Sequence, residues 1–347
     1  VAAGGLPWRE EGAGGRRNAY RVLVSEAMLQ QTQVSRVEPK FRAFVERFPT
    51  VESLACAGED EVLAMWSGLG YYRRARSLHA AARAVVERFG GEVPGRVEEL
   101  LELKGVGRYT AGAVASLAFG ERAPVLDGNV RRVVRRLAGD DRAVEDADAE
   151  RASWRDAERL VESAADPGRT NEALMELGAT VCTPRKPGCG GCPVREWCVA
   201  GRGGFAEGIP PAKKAVKRRV LHHGLALVTD GEGRLLVERR GEGGLWAGMW
   251  QPVGLEREGR AIVRRELEEA VGVGLGGRVV SRFVHETTHR RVRFAVWAGE
   301  WRWGGGPGRG VWVGRAEAGG LAFANPHRRL VEGVLGGLGV GAGGVGG

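Results

Sequence analysis

A chain of 347 residues is long enough for two domains, each with its own core. Its five cysteines, four of them in one short stretch, do not build a disulfide-dense secreted fold, and residues 1–7 lack the pattern of a signal peptide. No apolar run reaches membrane-spanning length, so a cytoplasmic, reducing compartment is expected; the formal charge of +9 suits a polyanionic partner such as nucleic acid.

From residue 18 to about 200 the apolar residues recur with helical spacing, which predicts an all-α domain. In the first such stretch Glu26 stands among Val22, Leu23, Val24, Met28 and Leu29, where loss of water would raise its pKa toward that of a general acid. Residues 97–103 predict a helix, Gly105-Val106-Gly107 a tight turn, and residues 109–117 a second helix rich in small side chains. Two glycines let a backbone approach a phosphate, and the helix N-terminus behind them offers free N–H groups. Asp127 falls at a predicted helix start, where it would stay ionised and face a cation, or act only as an N-cap. The helix after it carries Val130, Val133, Val134 and Leu137 as an i, i+3, i+4, i+7 stripe, with Arg131, Arg132, Arg135 and Arg136 on the opposite face. Two carboxylates in different surroundings suit glycosyl chemistry, one protonating the leaving base and the other facing the charge that develops on the sugar.

Cys182, Cys189, Cys192 and Cys198 follow with the spacing C-x6-C-x2-C-x5-C, which is a metal site or two disulfides. Zinc ribbons pair two C-x2-C knuckles, whereas this run has one, flanked by single cysteines; that favours one [4Fe–4S] cluster over zinc. Arg185, Lys186 and Arg195 on the same loop could face phosphate, or the loop could be a structural staple alone. Residues 202–219 predict a linker between a first domain of residues 1–201 and a second of residues 220–335. Within the second, β-type runs at 225–228, 235–237, 292–297 and 311–313, with one helical stretch at 261–270, predict an α+β fold. Residues 336–347 are mostly Gly and predict a disordered tail.

The motifs Leu6-Pro7-Trp8, Ser25-Glu26-Ala27-Met28-Leu29-Gln30-Gln31-Thr32-Gln33-Val34 and Gly68-Leu69-Gly70-Tyr71-Tyr72-Arg73-Arg74 form one set with Gly105-Val106-Gly107-Arg108-Tyr109-Thr110-Ala111 and Leu126-Asp127-Gly128-Asn129-Val130. With the cysteine loop, this set resembles the helix–hairpin–helix base-excision glycosylases of the endonuclease III superfamily, and within it the MutY-type adenine DNA glycosylases. The resemblance implies removal of adenine opposite 8-oxoguanine or guanine in double-stranded DNA by a monomeric bacterial enzyme associated with the nucleoid. Glu26 and Asp127 would carry the reaction, with Tyr109 and Asn129 placing Asp127, the water and the sugar. Glu172 would lie near the flipped adenine, Gln31 and Tyr71 would fill the gap in the duplex, and Leu29 and Thr32 would touch the opposite base. Gly105, Gly107 and Arg108 would meet the DNA backbone. Lyases similar to this chain place a lysine nucleophile where Tyr109 stands; a phenol cannot form a Schiff base, so a monofunctional enzyme without efficient lyase activity is expected. Residues 11–16 depart from the pattern as an insertion.

The second domain is similar to Nudix domains at Gly244–Pro252 and in Arg265-Glu266-Leu267-Glu268-Glu269-Ala270-Val271-Gly272-Val273. The signature is broken: Ala270 replaces a metal-binding carboxylate, and the upstream Gly and Glu fall on Gln251 and Arg257, which argues against diphosphate hydrolysis. In the MutY family this domain reads 8-oxoguanine through a Phe-Ser-His loop, whose best match here is Thr287-Thr288-His289, with Thr288 and His289 as the contacts. Phe283-Val284-His285 is a competing register. A glycosylase of other mismatch specificity, such as thymine, is disfavoured by the Nudix-like domain, and a non-catalytic iron–sulfur DNA-binding protein by the presence of Glu26 and Asp127.

Overall fold

The structure, a computed structural model, describes residues 5–12, 15–212, 218–301 and 308–337. Two compact units result, one from residues 1–57 and 73–214, the other from residues 58–72 and 215–347. In chain order the helices up to the cysteine loop are α1 (Ala19–Leu29), α2 (Val34–Arg47), α3 (Val51–Cys56), α4 (Glu59–Met65), α5 (Arg73–Phe89), α6 (Val97–Leu101), α7 (Arg108–Phe119), α8 (Gly128–Ala138), α9 (Ala147–Glu162) and α10 (Pro167–Thr180). A short helix α11 (Val199–Gly203) follows the cysteines.

The first unit is all-α among its described residues apart from one isolated bridge, Glu11 with Arg17. Side-chain oxygens start its helices: Asn18 accepts from the Arg21 N–H ahead of α1, and Asp146 and Asp166 do the same ahead of α9 and α10. Small residues let α7 sink into the core, where Ala111, Gly112, Ala113, Val114 and Ala115 are all buried. A methyl group on Gly112 would lie 2.2 Å from the Pro124 carbonyl oxygen, so only glycine permits that approach. The predicted helix–turn–helix is present as α6, a turn, and α7, with Gly105 at φ +83° and its Cα facing Ser77. On α8 the arginine face is not solvated: Arg132, Arg135 and Arg136 are 8%, 2% and 1% exposed, because the cysteine loop and the segment after it cover Arg132 and Arg136, while the carbonyls of Asp140, Arg142 and Ala143 take Arg135. Residues 202–209, expected as part of a linker, hold the end of α11 and a buried Ile209 that packs with Cys198, Ala200 and Ala206. Residues 213–217 of that expected linker lie outside the described residues.

The second unit is α+β. Its strands are β1 (Arg219–Thr229), β2 (Leu235–Arg239), β3 (Trp250–Pro252), β4 (Gly254–Glu258), β5 (Val279–Glu286), β6 (Arg290–Glu300) and β7 (Val311–Val313), with helices α12 (Arg264–Val271), α13 (Arg315–Gly320) and α14 (Asn325–Leu335). They form one sheet in the order β3-β2-β1-β6-β5, with β4 paired to β1 and β7 to β2. The central pair, β1 and β6, is parallel from Arg219 opposite Arg290 to Thr229 opposite Glu300. Alternation along β1 sends Leu225 and Leu227 into the core shared with α14, and Ala226 and Val228 into the core shared with α12. Trp297 is buried, and Trp246, Trp250, Trp301 and Trp312 pack against the same two cores, as expected of sheet-face residues; Trp303 lies outside the described residues. Residues 58–72 join this unit through several bonds. Gly68 donates its N–H to Asn325 Oδ1 at 3.1 Å, the Tyr72 hydroxyl donates to the Phe323 carbonyl at 3.2 Å, and Arg239 pairs with Asp60 at 3.3 Å. The expected glycine tail begins where α14 ends, and residues 338–347 lie outside the described residues.

Candidate active site and cluster loop

A cleft of about 1090 Å³ opens in the first unit, and α1, α7, the start of α8 and α10 supply its floor. Glu26 projects from the buried side of α1 and is 5% exposed. The Tyr109 hydroxyl on α7 donates to Glu26 Oε2 at 2.6 Å and also lies 3.4 Å from the Met175 sulfur. Burial holds the Glu26 carboxyl at about 7 against an ordinary 4.5; the Tyr109 bond opposes this, and the Asp127 charge adds to it. Burial also pushes the Tyr109 phenol well up, reinforced by the neighbouring Glu26.

Asp127 is the N-cap of α8, accepting from the N–H groups of Asn129 at 3.0 Å and Val130 at 2.7 Å. The same capping carboxylate lines the cleft. Burial leaves its carboxyl raised above the ordinary value, which those two N–H groups, then Arg132 and Arg131, offset only in part. Its charge adds to the rise at Glu26. Asn129 lines the cleft beside it, and its Oδ1 accepts from Arg132 at 3.0 Å.

Glu172, Gln31, Leu29 and Thr32 line the same cleft. Gln31 is exposed with φ +54°, a left-handed backbone that non-glycine residues seldom adopt. Arg74 secures that turn, donating to the carbonyls of Ala27, Met28 and Gln30 and to the Thr32 hydroxyl. Tyr71, in the second unit, is likewise left-handed at φ +48° and half exposed, and its hydroxyl is 2.6 Å from that of Thr288. His289 is exposed at the turn between β5 and β6, and its carbonyl accepts the Arg219 N–H at 3.1 Å. His285, from the competing register, lies along β5 with its ring 5.7 Å from that of Trp246. At the hairpin, Gly107 caps α7 and nothing crowds its Cα, while Arg108 is paired with Glu158 and stacked 3.8 Å over the Trp154 ring.

Sequence reasoning missed the arginines. Arg9 Nε meets Glu172 Oε1 and Arg17 Nη2 meets Glu172 Oε2, each at 2.6 Å, and Arg9 also reaches Glu176 at 3.0 Å. Arg9 directly follows the Leu6-Pro7-Trp8 motif and Arg17 directly follows the inserted stretch, but contacts across 155 residues or more leave no local signal. Arg132 links Asn129 to the Gly178 carbonyl at 2.6 Å and the Cys182 carbonyl at 2.7 Å. Arg136 reaches the carbonyls of Ile209, Thr183 and Pro184 and the Cys182 sulfur at 3.3 Å.

All four clustered cysteines are free thiols, which removes the disulfide reading. They line one small cavity together with Arg136 and Arg195. Four thiols gathered at one cavity are soft donors of the kind that hold an iron–sulfur cluster. Arg185, Lys186 and Arg195 are exposed on this loop.

Residues 24–159 match the family model described as HhH-GPD superfamily base excision DNA repair protein, residues 182–198 the iron–sulfur binding domain of endonuclease III, and residues 224–333 the NUDIX domain. The chain thus has a helical glycosylase-type domain with an iron–sulfur motif and a Nudix-like domain, and it carries one [4Fe–4S] cluster, the matched segment being the one that bears Cys182, Cys189, Cys192 and Cys198. The adenine DNA glycosylase of Mycobacterium tuberculosis is 42% identical over 209 residues, covering 60% of this chain and 67% of that protein. The human adenine DNA glycosylase is 48% identical over 199 residues, covering 56% of this chain and 36% of that protein, and that of Arabidopsis thaliana is 37% identical over 344 residues, covering 84% and 54%. The chain belongs to the adenine DNA glycosylase family. It spans about a third to a half of the length of the human and Arabidopsis relatives. Among solved structures, that of a thermostable thymine-DNA glycosylase is similar with a TM-score of 0.50 and 30% identity, covering 57% of this chain and 89% of that one. No helix among the described residues is long and apolar enough to cross a membrane.

Proposed function

We propose that the chain is a base-excision adenine DNA glycosylase that acts as a monomer in the bacterial cytoplasm on double-stranded DNA. It hydrolyses the N-glycosidic bond of adenine opposite 8-oxoguanine, or guanine, and leaves an abasic site. The observation that carries this reading is the pairing of Glu26 with Tyr109 in a cleft that also holds Asp127. Glu26, held to about 7, keeps a proton near neutrality and gives it to a ring nitrogen of the flipped base, so that the base leaves with the bonding electrons. Asp127 faces the cation left at the sugar carbon, and water adds there, its proton returning to the carboxylate left on Glu26. Tyr109 fixes Glu26, and Asn129 completes the wall beside Asp127. Gln31 and Tyr71, both left-handed and exposed, suit insertion into the vacated stack, and Leu29 and Thr32 suit contact with the opposite base. Thr288 and His289 are the candidates for reading that base; the Tyr71–Thr288 pairing favours this register over the one ending at His285. Gly105, Gly107 and Arg108, with the exposed cations of the cluster loop, are the candidate backbone contacts. A phenol in place of an amine supports hydrolysis without strand cleavage.

The test is incubation of the full chain with A:8-oxoguanine, A:G and A:T duplexes, measuring free adenine and strand breaks with and without alkali. Adenine release from the two mispairs only, with breaks appearing after alkali, is expected. Equal release from all three, or from none, would overturn the substrate assignment, and a borohydride-trapped adduct would overturn the hydrolytic mechanism.

A further inference from the structure

Three of the carboxylates that line the cleft, Asp127, Glu26 and Glu172, are each held differently. Asp127 accepts backbone N–H groups, Glu26 accepts one phenol, and Glu172 is gripped by two guanidiniums, one on each oxygen. Those two arginines bracket the inserted loop: Arg9 precedes it, and Arg17 closes it through the bridge to Glu11, with Gly12 N–H donating to the Arg16 carbonyl at 2.8 Å. Both ends of the loop therefore return to the same carboxylate. The Arg17 side chain is the more enclosed of the two, 12% exposed against 30% for Arg9, so its charge is the less screened by water.

The groups that bear on Glu26 are the Tyr109 phenol from α7, Asp127 at the start of α8, Glu172 from α10, and Arg17 ahead of α1. Arg17 is the cation among them, and at Glu26 its attraction opposes the repulsion from Glu172. We propose that Arg17 is a positioning residue that pins Glu172 and offsets its charge, thereby setting the pH range of base removal without touching a reacting atom. This rests on the glycosylase reading above.

The experiment follows single-turnover adenine release by the full chain across the alkaline limb of its pH profile, for the wild type and for Arg17→Gln, Arg17→Lys and Glu172→Gln. Arg17→Gln is expected to move the limb to higher pH by about half a unit, Arg17→Lys to leave it in place, and Glu172→Gln to move it to lower pH. A limb that stays put in both glutamine variants, with rates lowered uniformly, overturns the proposal and leaves Arg17 a packing residue. Following the Glu26 side-chain carboxyl carbon by NMR reads the same shifts without turnover. Absence of adenine release by the wild type would thus strike the glycosylase reading, while unmoved Glu26 titrations in the variants would strike the role of Arg17.

Discussion

Both units gather carboxylates, and they treat them in opposite ways. In the first, Glu26 is shut away from water with a single phenol for a partner, and burial lifts it to about 7. In the second, Glu266 on the Nudix-like helix is met by Arg260 and Arg257, which hold it down at about 2. Arg257 stands where the Nudix signature has a carboxylate, and its guanidinium, 2.8 Å from Glu266, puts a fixed charge on a would-be metal ligand. Glu238 and Glu269 are similarly taken by Arg309 and Arg265. The lesson is one of environment: desolvation without a directly paired cation favours the protonated carboxyl, whereas direct pairing with arginine favours the ion.

The sharpest break of this contrast is Glu26→Gln, which keeps the shape and the Tyr109 contact but has no proton to give. Single-turnover adenine release should fall by roughly 10²–10⁴-fold with duplex affinity retained. Loss of the cluster comes next: Cys192→Ser should lower bound iron and drop the melting temperature by about 5 °C or more, because Arg132 and Arg136 on α8 reach the backbone and sulfur of the loop the cluster ties together. A third effect is pH-linked stability. The Glu26 carboxyl sits higher in the folded chain than its ordinary 4.5, so its stabilising contribution is full below about 4.5 and is lost as pH rises through about 7. Glu26→Gln should therefore match the wild type in urea unfolding near pH 4.5 and exceed it above pH 7, by on the order of 3 kcal/mol. Smallest of all, Arg257→Ala should leave thermal unfolding and adenine release near wild type, since the pair is part-exposed and Arg260 still meets Glu266. Millimolar Mg²⁺ should not shift the melting of either protein, and a clear Mg²⁺ stabilisation of the wild type would undo the contrast.

Much of the first unit was legible because its signals are local. Glu26 is surrounded in sequence by the residues that bury it, Asp127 precedes its own helix, and the four cysteines fall within one loop. What sequence hid was long-range. Helical periodicity separates two faces of α8 but does not say that the arginine face is covered by residues about 50 to 73 positions later. Arg9 and Arg17 looked like ordinary surface cations beside an insertion until α10 brought Glu172 to them. In the second unit the apolar run at 292–297 was readable, but the strand runs from Arg290 to Glu300, alternating charged and buried residues that no continuous apolar run would mark. β5 was missed for the same reason, as its exposed positions include Arg282, Val284 and Glu286.

The central claim is that Glu26 carries a proton at neutral pH. Selective ¹³C labelling of glutamate side-chain carboxyls, with Glu26→Gln identifying the resonance, measures it directly in the intact protein. A titration midpoint near 7 is the predicted result. A midpoint near the ordinary 4.5 would mean that the buried carboxyl is already ionised when the base must leave, and would contradict the account.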